Sequence, residues 1–182
     1  MIHHMKARVL CLLADGFEEI EMITPVDLLR RAGIEVVIAA LHHKTCTGRC
    51  GIRVEADELL ADLDAGGFDL LLMPGGPGVA KLREDGRPAV LARHFHDHDK
   101  PVAAICAAPL VLMDAGLLEG RSFTAHQSVR KTLYNAVEAR VIADGNLITA
   151  RGAGTAMDFG LALAARLAGQ SAADRVSAEI MA

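Results

Sequence analysis

The chain has no tryptophan, one tyrosine and five phenylalanines among 182 residues. So few flat rings leave little for nucleic-acid bases to stack on. A basic surplus is missing as well. Lys and Arg number 19 against 23 Asp and Glu, a net charge of −4, so phosphate backbones are not an expected partner. Long hydrophobic runs are also absent. The longest stretch free of charge, Pro101 to Met113, has 13 residues, short of the roughly 20 that span a bilayer. The opening MIHHMK has no basic region followed by an apolar core, so no secretory signal is expected. Cysteines are few, four in all. Without an export signal they are expected to be thiols in a reducing cytoplasm rather than a disulfide framework.

What is present points to a globular domain. Hydrophobic residues make up 52% of the chain and charged residues 23%, too apolar and too weakly charged for disorder. Met1 to Met5 is set aside as a remnant outside the fold, and residues 6–182 are read as one domain. Short apolar runs alternate with helical patterns. Ala7–Ala14, Ile34–Leu41, Phe68–Met73 and Pro101–Cys106 read as buried strands. Glu19–Ala32 reads as a helix stopped by Gly33. Gly51–Glu55 reads as a short edge strand after a polar loop, and Asp57 as the N-cap of a short helix through Leu63. Helices are expected over Arg87–His98, Ala107–Ala115, Thr155–Leu167 with Thr155 as N-cap, and Ala172–Ile180. Ser122–Ala125 reads as a short strand. Arg140–Ile142 and Leu147–Ala150 flank a hairpin turn at Asp144-Gly145-Asn146. Strands apolar throughout their length, separated by helices, imply a mostly parallel sheet covered on both faces.

Ligands of such sheets sit beyond the carboxyl ends of the strands. The residues there are Asp15 to Glu21, Pro74 to Gly78, Cys106 to Pro109 and Ala125 to Ser128. Cys106 stands at a strand-to-helix turn, where unpaired helix N–H groups favour a thiolate. Ala107 and Ala108 leave room for a substrate, and Pro109 suits a first helical turn. The alternative is an inert buried cysteine. Pro74-Gly75-Gly76-Pro77-Gly78 allows close approach of backbone to a ligand, or is an ordinary turn. Its N–H groups and that of Ala107 would suit an oxyanion. Glu18 and Glu19 read as complements to a helix dipole. Glu21, one turn further in, is placed to point at Cys106, with a carboxyl held neutral by burial.

These segments together resemble the ThiJ/PfpI family, within the class I glutamine amidotransferase-like proteins. The resemblance is carried by Glu18-Glu-Ile-Glu21, Thr24-Pro-Val-Asp27, Arg30-Arg-Ala-Gly33, Leu72-Met-Pro-Gly-Gly76, Ala103-Ala-Ile-Cys-Ala-Ala-Pro109, Thr124-Ala-His126 and Arg151-Gly-Ala-Gly-Thr155. It implies a flavodoxin-like three-layer α/β/α sandwich with a nucleophile elbow. It implies Cys106 as nucleophile, Glu21 as acidic partner, His126 nearby, and Gly76 and Ala107 as backbone oxyanion donors. It further implies a homodimer with no metal or organic cofactor. The chain departs from the family in three places. Ala107 follows the cysteine where the protease-like branch has His. Gln127 follows His126, and Arg49-Cys50-Gly51 stands where relatives have Ser-Arg-Gly.

The activity implied is glutathione-independent conversion of α-oxoaldehydes such as methylglyoxal, or of their protein adducts, to hydroxy acids. Alternatives are an oxidative-stress sensor or chaperone-like protein whose Cys106 is oxidised to sulfinate, and a small-molecule amidase or hydratase. His126 either relays protons or holds the main chain. His42, His43, Cys46 and Cys50 match no zinc spacing and read as a surface loop. His94, His96 and His98 read as a solvated helix face, Cys11 as core, and Arg151 to Thr155 as a turn and cap.

Overall fold

The computed structural model describes residues 6–182; the set-aside segment 1–5 lies outside the described residues. Among the described residues, nine strands and six α-helices follow in the order β1 Arg8–Leu13, α1 Glu19–Arg31, β2 Glu35–Ala40, β3 Thr45–Thr47, β4 Arg53–Glu55, β5 Glu58–Leu59, β6 Leu70–Met73, α2 Val79–Asp85, α3 Arg87–Asp97, β7 Val102–Ile105, α4 Pro109–Asp114, β8 Val141–Asp144, β9 Leu147–Ala150, α5 Ala156–Ala168 and α6 Gln170–Glu179. Seven strands form one sheet in the order β5-β2-β1-β6-β7-β9-β8. Every pairing in it is parallel except that of β8 with β9. This is the mostly parallel, doubly covered sheet that the strand and helix pattern implied, and the three-layer α/β/α sandwich that the resemblance implied.

The continuous apolar strands follow from burial on both faces. Along β1, Val9, Cys11 and Leu13 join the core beneath α1 and α5. Leu10 and Leu12 join the opposite core beneath α3 and α4. Alternation of side chains across a strand thus divides one hydrophobic run between two cores. Cys11 belongs to the first core, as expected, and burial pushes its thiol up to about 12. The helices α1 and α5 approach closely at Gly160, where an added Cβ would lie 2.6 Å from Leu28 Cδ1 and 3.0 Å from Pro25 Cα.

Several local signals hold. Gly33 follows the end of α1 with φ +83°, and the Ile34 N–H reaches back to the Leu29 carbonyl at 3.0 Å. The hairpin turns at Gly145, with Asp144 opposite Leu147. His94 and His98 share a face of α3, the His98 Nδ1 lying 2.8 Å from the His94 carbonyl.

Other expectations are corrected. Asp57 caps no helix: its Oδ2 accepts from the Ile38 N–H at 2.8 Å, and the chain then forms β5 and a 3₁₀ turn over Leu60–Asp62. Ser122–Ala125 joins no ladder. The Thr124 N–H is satisfied by Thr149 Oγ1 and its hydroxyl donates to the Ala139 carbonyl, both at 3.0 Å. Residues 51–55 do not edge the main sheet, because β4 pairs with β3 in a separate antiparallel ribbon. The helix after Cys106 starts at Pro109, not Ala107. Thr155 does precede α5, but its hydroxyl donates back to the Gly152 carbonyl at 2.8 Å. The seven-residue α2 was not foreseen.

Candidate active site

The sheet order turns outward on either side of β1 and β6, the place where open α/β sheets collect ligands. Three strand ends meet there, and those of β1 and β6 are laced together through main chain. The Glu18 N–H donates to the Gly75 carbonyl at 3.0 Å, and the Gly78 N–H to the Gly16 carbonyl at 2.9 Å. This lacing leaves no space for side chains. A Cβ on Gly76, whose φ is +92°, would lie 2.5 Å from the Gly16 carbonyl oxygen. A Cβ on Gly75 would lie 2.5 Å from Glu21 Oε2 and 2.6 Å from the Cys106 Cβ. The glycines of the Pro74–Gly78 segment are therefore steric requirements of the site as well as features of a turn.

Cys106 occupies the left-handed region, with φ +67°. A non-glycine residue there is strained and is held by its surroundings. The holding bonds run from the Cys106 N–H to the Ala150 carbonyl at 2.9 Å and from the His126 N–H to the Cys106 carbonyl at 2.8 Å. The side chain is thereby lifted over the sheet edge, half-buried, where the Gly76 and Ala107 N–H groups favour negative charge on its sulfur. This is the elbow that the residue pattern implied.

Glu21 comes from the first turn of α1 and is buried. Its Oε2 accepts from the Gly75 N–H at 3.0 Å, and its carboxyl lies close enough to Cys106 for each group to perturb the other's proton affinity. Burial, reinforced by the Glu18 charge, pushes the Glu21 carboxyl up to about 7. Burial also pushes the Cys106 thiol up to about 12, helped by Glu21 and opposed by the Gly76 and Ala107 N–H groups. This corrects the expectation that helix dipoles alone yield a thiolate. The helix α4 starts three residues after Cys106 and is one and a half turns long, too little to offset burial beside an acid. Burial raises the thiol most, and a neighbouring carboxylate adds to this by repelling a second negative charge. When the Glu21 carboxyl keeps its proton, that repulsion vanishes and the O–H becomes a donor to sulfur. Charge and proton thus belong to the pair.

The His126 ring accepts the Ser128 N–H on Nδ1 at 3.2 Å, with the Ser128 hydroxyl 2.9 Å away. An Nδ1 that accepts leaves the proton of a neutral ring on Nε2. His126 therefore holds a main-chain N–H and keeps one nitrogen for other use. Cys106, Glu21, Gly76, Ala107 and His126 all line one cavity of about 430 Å³. The expected site residues are thus brought together.

Glu18, Pro77 and Ser128, within the strand-end segments expected to meet a ligand, line the same cavity; Arg49 and Ala153 line it too and were not foreseen. Glu18 also caps α1, its Oε2 accepting the Glu21 N–H at 3.0 Å. Arg49 owes its place to Glu19, whose Oε1 accepts the Cys50 N–H at 2.8 Å and the Ile52 N–H at 3.3 Å. Glu19 is thus a tie for this loop, not merely a complement to the dipole. Gly48 packs on the Glu19 carboxylate with no space for a side chain. No local signal in the sequence links Glu19 to a loop some thirty residues away. The loop cysteines and histidines go separate ways: Cys46 is buried, Cys50 is exposed, and the His43 ring lies 2.8 Å from Asp15 Oδ2.

Comparison with known proteins places this arrangement. The profile of the DJ-1/PfpI family matches residues 7–166. Protein dj-1beta of Drosophila melanogaster is 37% identical over 180 residues, covering 95% of this chain and 96% of the relative. A deglycase of Pyrococcus abyssi is 35% identical over 148 residues, covering 79% of this chain and 89% of the relative. The crystal structure of Drosophila dj-1beta superposes with a TM-score of 0.93 at 36% identity, covering 97% of this chain and 98% of that one. Toxoplasma gondii DJ-1, in an oxidized form, superposes with a TM-score of 0.91 at 30% identity, covering 96% and 98%. The match runs from β1 into α5 and takes in all three strand ends that build the cavity; the chain belongs to the DJ-1/PfpI family.

Proposed function

We propose that this protein is a cysteine-dependent, glutathione-independent enzyme that converts α-oxoaldehydes, free or as protein adducts, to hydroxy acids. One observation carries the reading. A strained, half-buried cysteine stands beside the buried Glu21 carboxyl and the Gly76 and Ala107 backbone in one cavity. In the proposed course the Cys106 sulfur attacks the aldehyde carbon, and a C–S bond forms. The resulting oxyanion is held by the Gly76 and Ala107 N–H groups, as preorganised donors hold such charges. Glu21, with a carboxyl raised to about 7, suits proton exchange near neutrality. After passing the proton of the former S–H to the oxyanion, it takes the hydrogen of the first carbon as a proton and returns it to the second, with His126 Nε2 nearby. The first carbon is oxidised and the second reduced, so no external oxidant is needed. Water then cleaves the thioester, releasing the hydroxy acid and the thiol. For methylglyoxal the sum is one water added and one lactate formed.

The test is lactate formation from methylglyoxal without glutathione. Cys106→Ser is expected to remove turnover, and Glu21→Gln to reduce it by at least about a hundredfold, the scale of general acid–base contributions. Unchanged turnover in Cys106→Ser overturns the reading.

A second reading is oxidation of the same sulfur to sulfinate, favoured by its partial exposure and by the oxidized Toxoplasma relative. Mild peroxide would then add two oxygens to Cys106 in a protein without turnover. For the assembly we read a homodimer in a reducing cytoplasm. Ile20 and Ile23 on α1 are 53% and 43% exposed, and Ile52 before β4 is 52% exposed, an apolar patch suited to a second copy. Sedimentation at the monomer mass would refute the dimer.

A further inference from the structure

We propose that the catalytic cavity continues past His126 into a basin that receives a carboxylate on the far end of the substrate. The proposal rests on the α-oxoaldehyde reading for its chemistry and deepens it to a substrate class. The basin holds about 390 Å³, and Arg130, Glu138, Arg151, Gln127 and the loop Gly152–Thr155 line it. His126 and Ala153 belong both to it and to the Cys106 cavity. The two spaces are therefore neighbours separated by one imidazole.

Two guanidinium groups in the basin share one carboxylate. Arg130 Nη1 lies 2.7 Å from Glu138 Oε2, and Arg151 Nη1 lies 3.6 Å from Glu138 Oε1. One positive charge is left over, and the longer contact leaves most of the Arg151 fork free of Glu138. Glu138 itself is 73% exposed, so solvent competes for it and it neutralises the pair weakly. Arg130 Nε is buried and has no acceptor among the described residues. A buried N–H donor without an acceptor is costly. Planar guanidinium forks match carboxylates in two-point contact. The neighbouring Arg140 is committed elsewhere, to Asp158 at 2.6 Å and to the Gly154 carbonyl at 3.2 Å. An α-oxoaldehyde whose tail ends in a carboxylate would place its aldehyde at Cys106, pass His126, and set its charge between Arg130 and Arg151.

The experiment compares γ,δ-dioxovalerate, an α-oxoaldehyde with a terminal carboxylate, with its uncharged methyl ester. Turnover of both is measured in the full-length protein and in Arg151→Gln, Glu138→Gln and Arg49→Gln. The kcat/KM ratio of acid to ester is expected to exceed about tenfold, the scale of a charge-assisted hydrogen bond. It falls toward one in Arg151→Gln. It rises in Glu138→Gln, because the competing carboxylate is gone, and loss of structure would not produce that rise. A ratio near one in the unmodified protein overturns the proposal. So does a ratio indifferent to Arg151→Gln but abolished by Arg49→Gln, which would put the anion on the opposite rim.

A binding measurement separates the two readings. Glutarate is expected to slow alkylation of Cys106 by iodoacetamide, and the uncharged diamide glutaramide is not. Protection by glutarate that is lost in Arg151→Gln, with neither dioxo compound turned over, would keep the basin and remove the α-oxoaldehyde reaction. Equal turnover of acid and ester without protection would keep the reaction and remove the basin. Neither turnover nor protection would remove both.

Discussion

Glu21→Gln is expected to make the protein more stable at neutral pH while it loses activity. Glu21 is buried, and its carboxyl is raised from an ordinary 4.5 to about 7. In the unfolded chain the group releases its proton near 4.5, whereas the folded protein keeps it to about 7. Where the folded state binds more protons, stability falls as pH rises. The stabilising contribution is therefore complete below pH 4.5, declines between 4.5 and about 7, and is then gone. A shift from 4.5 to about 7 corresponds to about 3 kcal/mol at about 1.4 kcal/mol per unit. The figure belongs to the pair, because the same single negative charge is buried whether it sits on the carboxylate or on sulfur. A glutamine amide has the shape of the protonated carboxyl and never ionises. Urea unfolding of both proteins from pH 4.5 to 8 should give nearly equal stabilities at the acid end. At the alkaline end the variant should be more stable by up to about 3 kcal/mol. Parallel stability curves across this range would refute the argument, since they would mean that Glu21 carries no buried-proton penalty.

Three further substitutions probe the supports of the site. Gly75→Ala sets a methyl 2.5 Å from Glu21 Oε2 and 2.6 Å from the Cys106 Cβ. It should cost about 1–3 kcal/mol and slow alkylation of Cys106, which thermal melting and mass spectrometry would check. Glu19→Ala removes the acceptor of the Cys50 and Ile52 N–H groups. A loss of about 1–2 kcal/mol and faster tryptic cleavage after Arg49 are expected; unchanged cleavage would show that Glu19 does not hold the loop. Gly160→Val wedges α1 from α5, where Leu28 and Pro25 already touch the glycine. Urea unfolding should register a loss of about 1–3 kcal/mol.

The sandwich was legible because its determinants are local or periodic. A run such as Val9 to Leu13 is apolar on both faces only if both faces are covered, and Gly33 and Gly145 mark positions that favour glycine. The site was legible in part, since strand ends collect ligands whatever the fold's function. Misreadings occurred where a side chain serves a distant partner. Asp57 has the look of a helix cap, yet it takes the Ile38 N–H. Glu19 sits in a first helical turn, yet it ties down residues 50 and 52. The segment Val79–Asp85 is seven residues long, too short for a helical period to stand out.

The amino-acid order by itself determined the layered α/β architecture, the turn glycines and the candidacy of Cys106, because hydrophobic alternation and backbone freedom act over a few residues. Only the tertiary structure decided the proton balance between Cys106 and Glu21, the placing of Arg49 at the cavity and that of Arg130 and Arg151 in the basin beside it. Electrostatic free energy depends on distance and on exclusion of water, and both arise when segments far apart in the chain are packed together.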